Sequence, residues 1–130
     1  MDRVWRSSKV DSSIVRPTYG HSSVLHPGTG RIYVHGGYRM LNSSCYRASS
    51  ETFYYESRAG KWYQLRNIGI PRFLHSAVII DSAMIIFGGR GEKELLSRHL
   101  MVFDISECPP WLSRFFQWYF SVYPACMFQF

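Results

Sequence analysis

Two copies of one pattern constrain how this chain can fold. His21-Ser22-Ser23-Val24 leads to Tyr33-Val34-His35-Gly36-Gly37, and His75-Ser76-Ala77-Val78 leads to Ile86-Phe87-Gly88-Gly89. The glycine doublets begin at positions 36 and 88, 52 residues apart, and the His-Ser pairs at 21 and 75, 54 apart. The copies therefore differ by two residues in the turn between their paired apolar segments, which is what a structural repeat with one variable turn produces.

A period of about 50 residues in which an apolar strand ends in Gly-Gly is the pattern of kelch repeats, each folding as one four-stranded blade of a β-propeller. In the first copy, alternation and turn residues predict strands over 21–25, 31–35, 52–55 and 61–65, with a polar loop from Tyr38 to Ser50. The second copy predicts strands over 76–80, 84–87 and 100–104, the first two joined by a tight Asp81-Ser82 turn. Its fourth strand is degenerate, because Pro109-Pro110 stand before Trp111 and proline removes a ladder donor. Val4-Trp5-Arg6 reads as the last strand of a preceding blade, since Trp5 lies 16 residues before His21 much as Trp62 lies 13 before His75. The fold expected is all-β: two antiparallel blades, part of a third, and a hydrophobic tail. The units are residues 1–15 (last strand of a preceding blade and linker), 16–72 (repeat 1), 73–112 (repeat 2) and 113–130 (tail). A propeller closes with about 4–8 blades, so further blades are required.

The repeat also separates structural residues from candidate contacts. His21 and His75 hold equivalent places, which predicts a structural task performed once per blade. Gly36, Gly37, Gly88 and Gly89 supply positive φ and close backbone approach. Tyr55 and Trp62, with Trp111 as the second copy's counterpart, are expected to pack against a neighbouring sheet. No nucleophile elbow, zinc motif or phosphate-cradling glycine loop is present. The expectation is a non-enzyme without cofactor or metal.

The net charge of +6 invites a nucleic-acid partner, yet the 15 basic residues are scattered singly along the chain. Without a basic stripe or motif, nucleic-acid binding is not expected. The three cysteines, Cys45, Cys108 and Cys126, make neither a zinc framework nor a complete disulfide set. Asn42-Ser43-Ser44 is an N-glycosylation acceptor sequence. The first six residues contain no apolar core of a signal peptide, so secretion would call for a leader upstream. The tail from Phe115 to Phe130 is uncharged, but its 16 residues fall short of the roughly 20 that span a bilayer. It is read as a segment foreign to the repeats, with a membrane-surface segment as the alternative.

Tyr19-Gly20-His21-Ser22-Ser23-Val24, Ile32-Tyr33-Val34-His35-Gly36-Gly37-Tyr38-Arg39 and Phe73-Leu74-His75-Ser76-Ala77-Val78-Ile79 resemble the kelch segment of attractin and its attractin-like relatives. The resemblance runs from about Trp5 to Asp104 and fades after Cys108. It implies a six-bladed propeller within a large extracellular or single-pass membrane glycoprotein that acts in cell-surface signalling or cell interaction. It therefore implies an extracellular or cell-surface location, with membrane attachment through the rest of a parent protein.

Loops on a rigid scaffold carry contacts. In a four-stranded meander, the loop between the second and third strands emerges at the same end as the linker between blades. Candidate partner contacts are therefore Tyr38, Arg39, Tyr46 and Arg47 in that loop and Arg66 and Arg72 in the linker, residue types favoured at interface hot spots. The partner is a protein of unknown identity. The alternatives are an intracellular kelch adaptor recruiting substrates to a ubiquitin ligase, or a truncated product without independent function.

Overall fold

The computed structural model describes residues 14–65, 69–93 and 96–106 of the chain. Ten strands and no helix occur among them: β1 (Thr18–Tyr19), β2 (Ser22–His26), β3 (Arg31–His35), β4 (Tyr38–Asn42), β5 (Cys45–Ala48), β6 (Thr52–Glu56), β7 (Lys61–Gln64), β8 (Ser76–Ile80), β9 (Ala83–Phe87) and β10 (Leu100–Asp104). They form a four-stranded sheet β2-β3-β6-β7, a three-stranded sheet β10-β9-β8 and a small sheet β1-β4-β5. All pairings are antiparallel.

The first blade is a meander whose register runs from Ser22↔His35 to His26↔Arg31, from Arg31↔Glu56 to His35↔Thr52, and from Phe53↔Gln64 to Glu56↔Lys61. Its two outer turns are built alike, with the Gly30 N–H donating to the His26 carbonyl at 2.9 Å and the Gly60 N–H to that of Glu56 at 2.8 Å. The His26 ring fixes the first turn, because its Nδ1 accepts from the Gly28 and Thr29 N–H groups at 3.1 and 3.2 Å. In the second blade a two-residue turn joins β8 to β9, with Asp81 at φ 53°, a conformation that a short polar side chain tolerates.

Side chains alternate across each pleat, so the register decides which face is apolar. Tyr33, Met84, Ile86 and Ile105 form the buried centre, and Val24, Tyr54, Leu65, Ala77, Ile79, Met101 and Phe103 pack around it. The core is thus the seam between the two blades. Full burial of one such side chain contributes about 1.5–3 kcal/mol.

Two features bear on the sequence expectation, and the second departs from it. Tyr55 and Trp62 do meet, directly opposite in register with ring centroids 5.2 Å apart. Tyr55 pairs with Ile32, whose neighbour Tyr33 points into the seam, so this aromatic pair lies on the face turned away from the second blade. The segment from Tyr38 to Ser50, expected as a polar loop, is a hairpin of β4 and β5 with a register shift between Met40 and Asn42. β1 pairs along its other edge, Thr18↔Arg39 and Tyr19↔Tyr38. The second repeat keeps a remnant of this small sheet as the isolated bridges Phe73↔Arg90 and Arg90↔Leu96. Val4-Trp5-Arg6, Arg66, Trp111, Cys108, Cys126 and the tail over 113–130 lie outside the described residues.

Candidate functional site

The glycine doublets and the His-Ser pairs meet at the same end of each blade. A β-carbon on Gly37, at φ 101°, would press on Thr18 Oγ1 and come within 3.1 Å of the His21 β-carbon. One on Gly89, at φ 86°, would lie 2.7 Å from the Phe73 carbonyl oxygen and 2.8 Å from the His75 β-carbon. In both blades the second glycine lets the strand leading to histidine pass against it, and only glycine fits without displacing backbone. Hydrogen bonds repeat too: the Ser49 N–H donates to Gly37 and the Ser97 N–H to Gly89, each at 2.8 Å. The residue before histidine is left-handed in both copies, Gly20 at φ 65° and Leu74 at φ 55°, and the Leu74 N–H donates to the Gly20 carbonyl at 2.7 Å.

Between the blades sits a buried polar cluster. His75 Nε2 is hydrogen-bonded to Ser22 Oγ at 2.8 Å, and His35 Nδ1 to Thr52 Oγ1 at 2.8 Å. The two imidazoles stand edge to face, centroids 5.3 Å apart. Burial, reinforced by neighbouring positive charge, lowers both to a pKa of about 4, so both rings are neutral at pH 7. Arg72 joins the repeats: its N–H donates to Ser49 at 3.1 Å, its carbonyl accepts from Gly37 at 2.8 Å, and its Nη1 donates to Gly88 at 3.0 Å and His99 at 3.3 Å. With 1% of its surface exposed, Arg72 is not a contact for a partner, contrary to the reading from sequence. The linker position was assigned correctly, but the side chain turns inward to satisfy carbonyls of the second blade.

The other described candidates lie on the β4–β5 hairpin and divide between its faces. Alternation puts Tyr19, Tyr38, Met40 and Tyr46 on one face and Arg39 and Arg47 on the other. Tyr38 is an anchor rather than a free ring, packed on Phe73 at 4.8 Å, on Tyr19 at 5.5 Å and stacked on Tyr46 at 5.8 Å. Tyr19, Met40 and Tyr46 remain exposed, at 54%, 49% and 49%. Arg39 is paired with Glu51, and Arg47 with Glu92 of the second repeat at 3.1 Å. A shallow hollow of about 200 Å³ lies between Tyr46, Arg47 and Glu92. Asn42 is exposed at the hairpin tip, its Oδ1 accepting from the Ser44 N–H at 3.2 Å. Sequence reasoning passed over Tyr19 and Met40; the signal that finds them is the two-residue alternation Tyr38-Met40 set against Tyr46-Ala48. No group of three or more His, Cys, Asp and Glu side chains among the described residues is placed to hold a metal.

Antiparallel blades with glycine doublets at equivalent strand ends define a kelch-type β-propeller, a fold that serves in general as a scaffold for protein interaction. The chain belongs to the Attractin/LZTR1 beta-propeller family, whose profile matches residues 1–117. It is 27% identical over 112 residues to multiple epidermal growth factor-like domains protein 8 of Rattus norvegicus, a match covering 83% of this chain and 4% of that protein. It is 27% identical over 122 residues to kelch domain-containing protein 3 of Bos taurus, covering 82% and 31% respectively. The chain thus spans a minor part of either relative. The solved structure of YjhT superposes with a TM-score of 0.59 and 14% identity over 73% of this chain and 38% of that one, a likeness of fold alone.

Proposed function

We propose that the chain is the interaction-bearing segment of a kelch propeller in an attractin-like cell-surface glycoprotein, and that the β4–β5 hairpin is its protein contact. The observation that carries this reading is the exposed Tyr19, Met40 and Tyr46 face, held by the Tyr38 anchor on a sheet that lies outside the central core cluster. Tyrosine and methionine are enriched at protein interfaces, and aromatics at their hot spots. The extracellular part of the reading is supported by the exposed acceptor Asn42 and by the similarity to a protein named for multiple epidermal growth factor-like domains. Membrane attachment would come through the rest of a parent protein, and the remaining blades from the same source.

Equal identity to a kelch domain-containing protein keeps the intracellular adaptor as a second reading. One experiment separates them. A photocrosslinking residue replacing Tyr46, in the full-length parent expressed in cells, is expected to trap a secreted or cell-surface protein, whereas the same residue at Lys61, on the far edge of the blade, traps none. Ubiquitin-ligase components at Tyr46 would select the adaptor reading. Equal trapping at both positions, or none, would remove the hairpin from the functional surface.

A further inference from the structure

The β4–β5 hairpin contains an irregularity that acts on Asn42. Its partners run Tyr38↔Ala48, Arg39↔Arg47 and Met40↔Tyr46 and then jump to Asn42↔Cys45, so β4 uses two residues, Leu41 and Asn42, where β5 uses one. Without the extra residue, alternation would put position 42 with Tyr38 and Met40 on the tyrosine face. With it, Asn42 shares the face of its partner Cys45, which alternates away from Tyr46 and so lies with Arg39 and Arg47. Re-aiming a side chain is what such bulges do. The two faces differ in what they leave open. On the arginine face both cations are paired, with Glu51 and Glu92, whereas Tyr19, Met40 and Tyr46 are open on the other.

Asn42, Ser43 and Ser44 are all exposed at the hairpin tip. The Asn42 Oδ1 accepts from the Ser44 N–H at 3.2 Å, and its Nδ2 makes no hydrogen bond among the described residues. The chain has no second acceptor sequence, because Asn67 is followed by Ile68 and Gly69.

We propose that Asn42 is an N-glycosylation site whose glycan leaves from the arginine face, so that the hairpin holds sugar on one side and its protein contact on the other. The site rests on the cell-surface reading, since this acceptor is used on the secretory route. In the transfer, Nδ2 forms a bond to the anomeric carbon of an oligosaccharide carried on a lipid pyrophosphate. The bond from that carbon to the phosphate oxygen breaks, the lipid pyrophosphate leaves with the electron pair, and the amide gives one proton to the transferase. A glycan is bulky, and on the tyrosine face it would cover the contact. The extra residue in β4 removes that conflict.

The test uses the full-length parent expressed in cells, with and without an appended secretion leader, and reads the peptide spanning Asn42 by mass. A glycan in the parent as it stands, lost in Asn42→Gln, is expected. A glycan present only with the appended leader upholds the site and overturns the cell-surface reading; none in either form overturns the site. Chemical labelling before and after enzymatic removal of the glycan reads its face. Phenylglyoxal modification of Arg47 should rise severalfold on removal, and acetylation of Tyr46 by N-acetylimidazole should not change. Met40→Asn combined with Asn42→Ser moves the acceptor sequence two positions back, onto the tyrosine face, and should reverse the pattern, with Tyr46 shielded and Arg47 open. Shielding of Tyr46 by the Asn42 glycan, or no difference between Tyr46 and Arg47, overturns the assignment of the face.

Discussion

Leu74 and Gly20 hold the same place in the two repeats, and only one of them suits it. A left-handed conformation with a β-carbon costs roughly 1–2 kcal/mol, and Leu74 is 63% exposed, so little packing offsets that strain. Leu74→Gly is therefore expected to stabilise the chain by about 0.5–1 kcal/mol, once the greater freedom of glycine in the unfolded state is subtracted. Equilibrium denaturation measures this, and a destabilised variant would show that Leu74 contributes packing that its exposure conceals. The doublets should rank by what a β-carbon meets. Gly89→Ala, against the Phe73 carbonyl and His75, should be markedly worse than Gly88→Ala, whose nearest obstacle is the Ser97 oxygen at 3.8 Å. The glycines were legible in the sequence because backbone demands repeat identically in each copy. The inward turn of Arg72 was not, because it depends on carbonyls of Gly88 and His99, which are 16 and 27 residues away.

The strands legible in sequence were those whose alternation is apolar and short-range: 31–35, 76–80 and 100–104 agree with β3, β8 and β10 to the residue. The β4–β5 hairpin was missed because its strands are poor in β-branched residues and carry arginines at Arg39 and Arg47. Their ion-pair partners Glu51 and Glu92 lie elsewhere in the chain, and β1 supplies the outer edge. This division of labour predicts unequal effects. Glu92→Gln removes an exposed pair with Arg47 and should change stability by less than about 0.5 kcal/mol. Tyr38→Ala removes the ring that touches Phe73, Tyr19 and Tyr46 and should cost about 1–3 kcal/mol. Hydrogen exchange of the hairpin amides provides the local readout: faster exchange in Tyr38→Ala with the β2-β3-β6-β7 amides unchanged is expected. A binding variant built on Tyr38 would confuse folding with contact, which is why Tyr46 is the position to probe.

Across the whole molecule, the seam between blades was legible as a consequence of the repeat, but its polar content was not. His35 aligns with Phe87 in the second copy, and nothing in the sequence marks one member of that pair as a buried imidazole. That cluster makes stability depend on pH with a definite sign. The rings of His35 and His75 titrate near 4 in the folded chain because burial disfavours their charged forms, against about 6.5 in the unfolded chain. The unfolded state therefore binds more protons between those values, and stability rises with pH there. The contribution is complete above about pH 6.5 and is lost as pH falls toward 4, where further acid has no more effect through these rings. Arg72, buried beside both, stays charged across this window and opposes any second positive charge. Denaturant midpoints measured from pH 7.5 to 4 should hold above about 6.5 and fall below it. His35→Phe, which gives the first blade the residue of the second, leaves Thr52 without its partner and should lower stability at pH 7. It should also make the fall between 6.5 and 4 shallower, since one titrating ring is gone. A wild-type midpoint flat across that window would mean that the imidazoles are not held neutral at the seam.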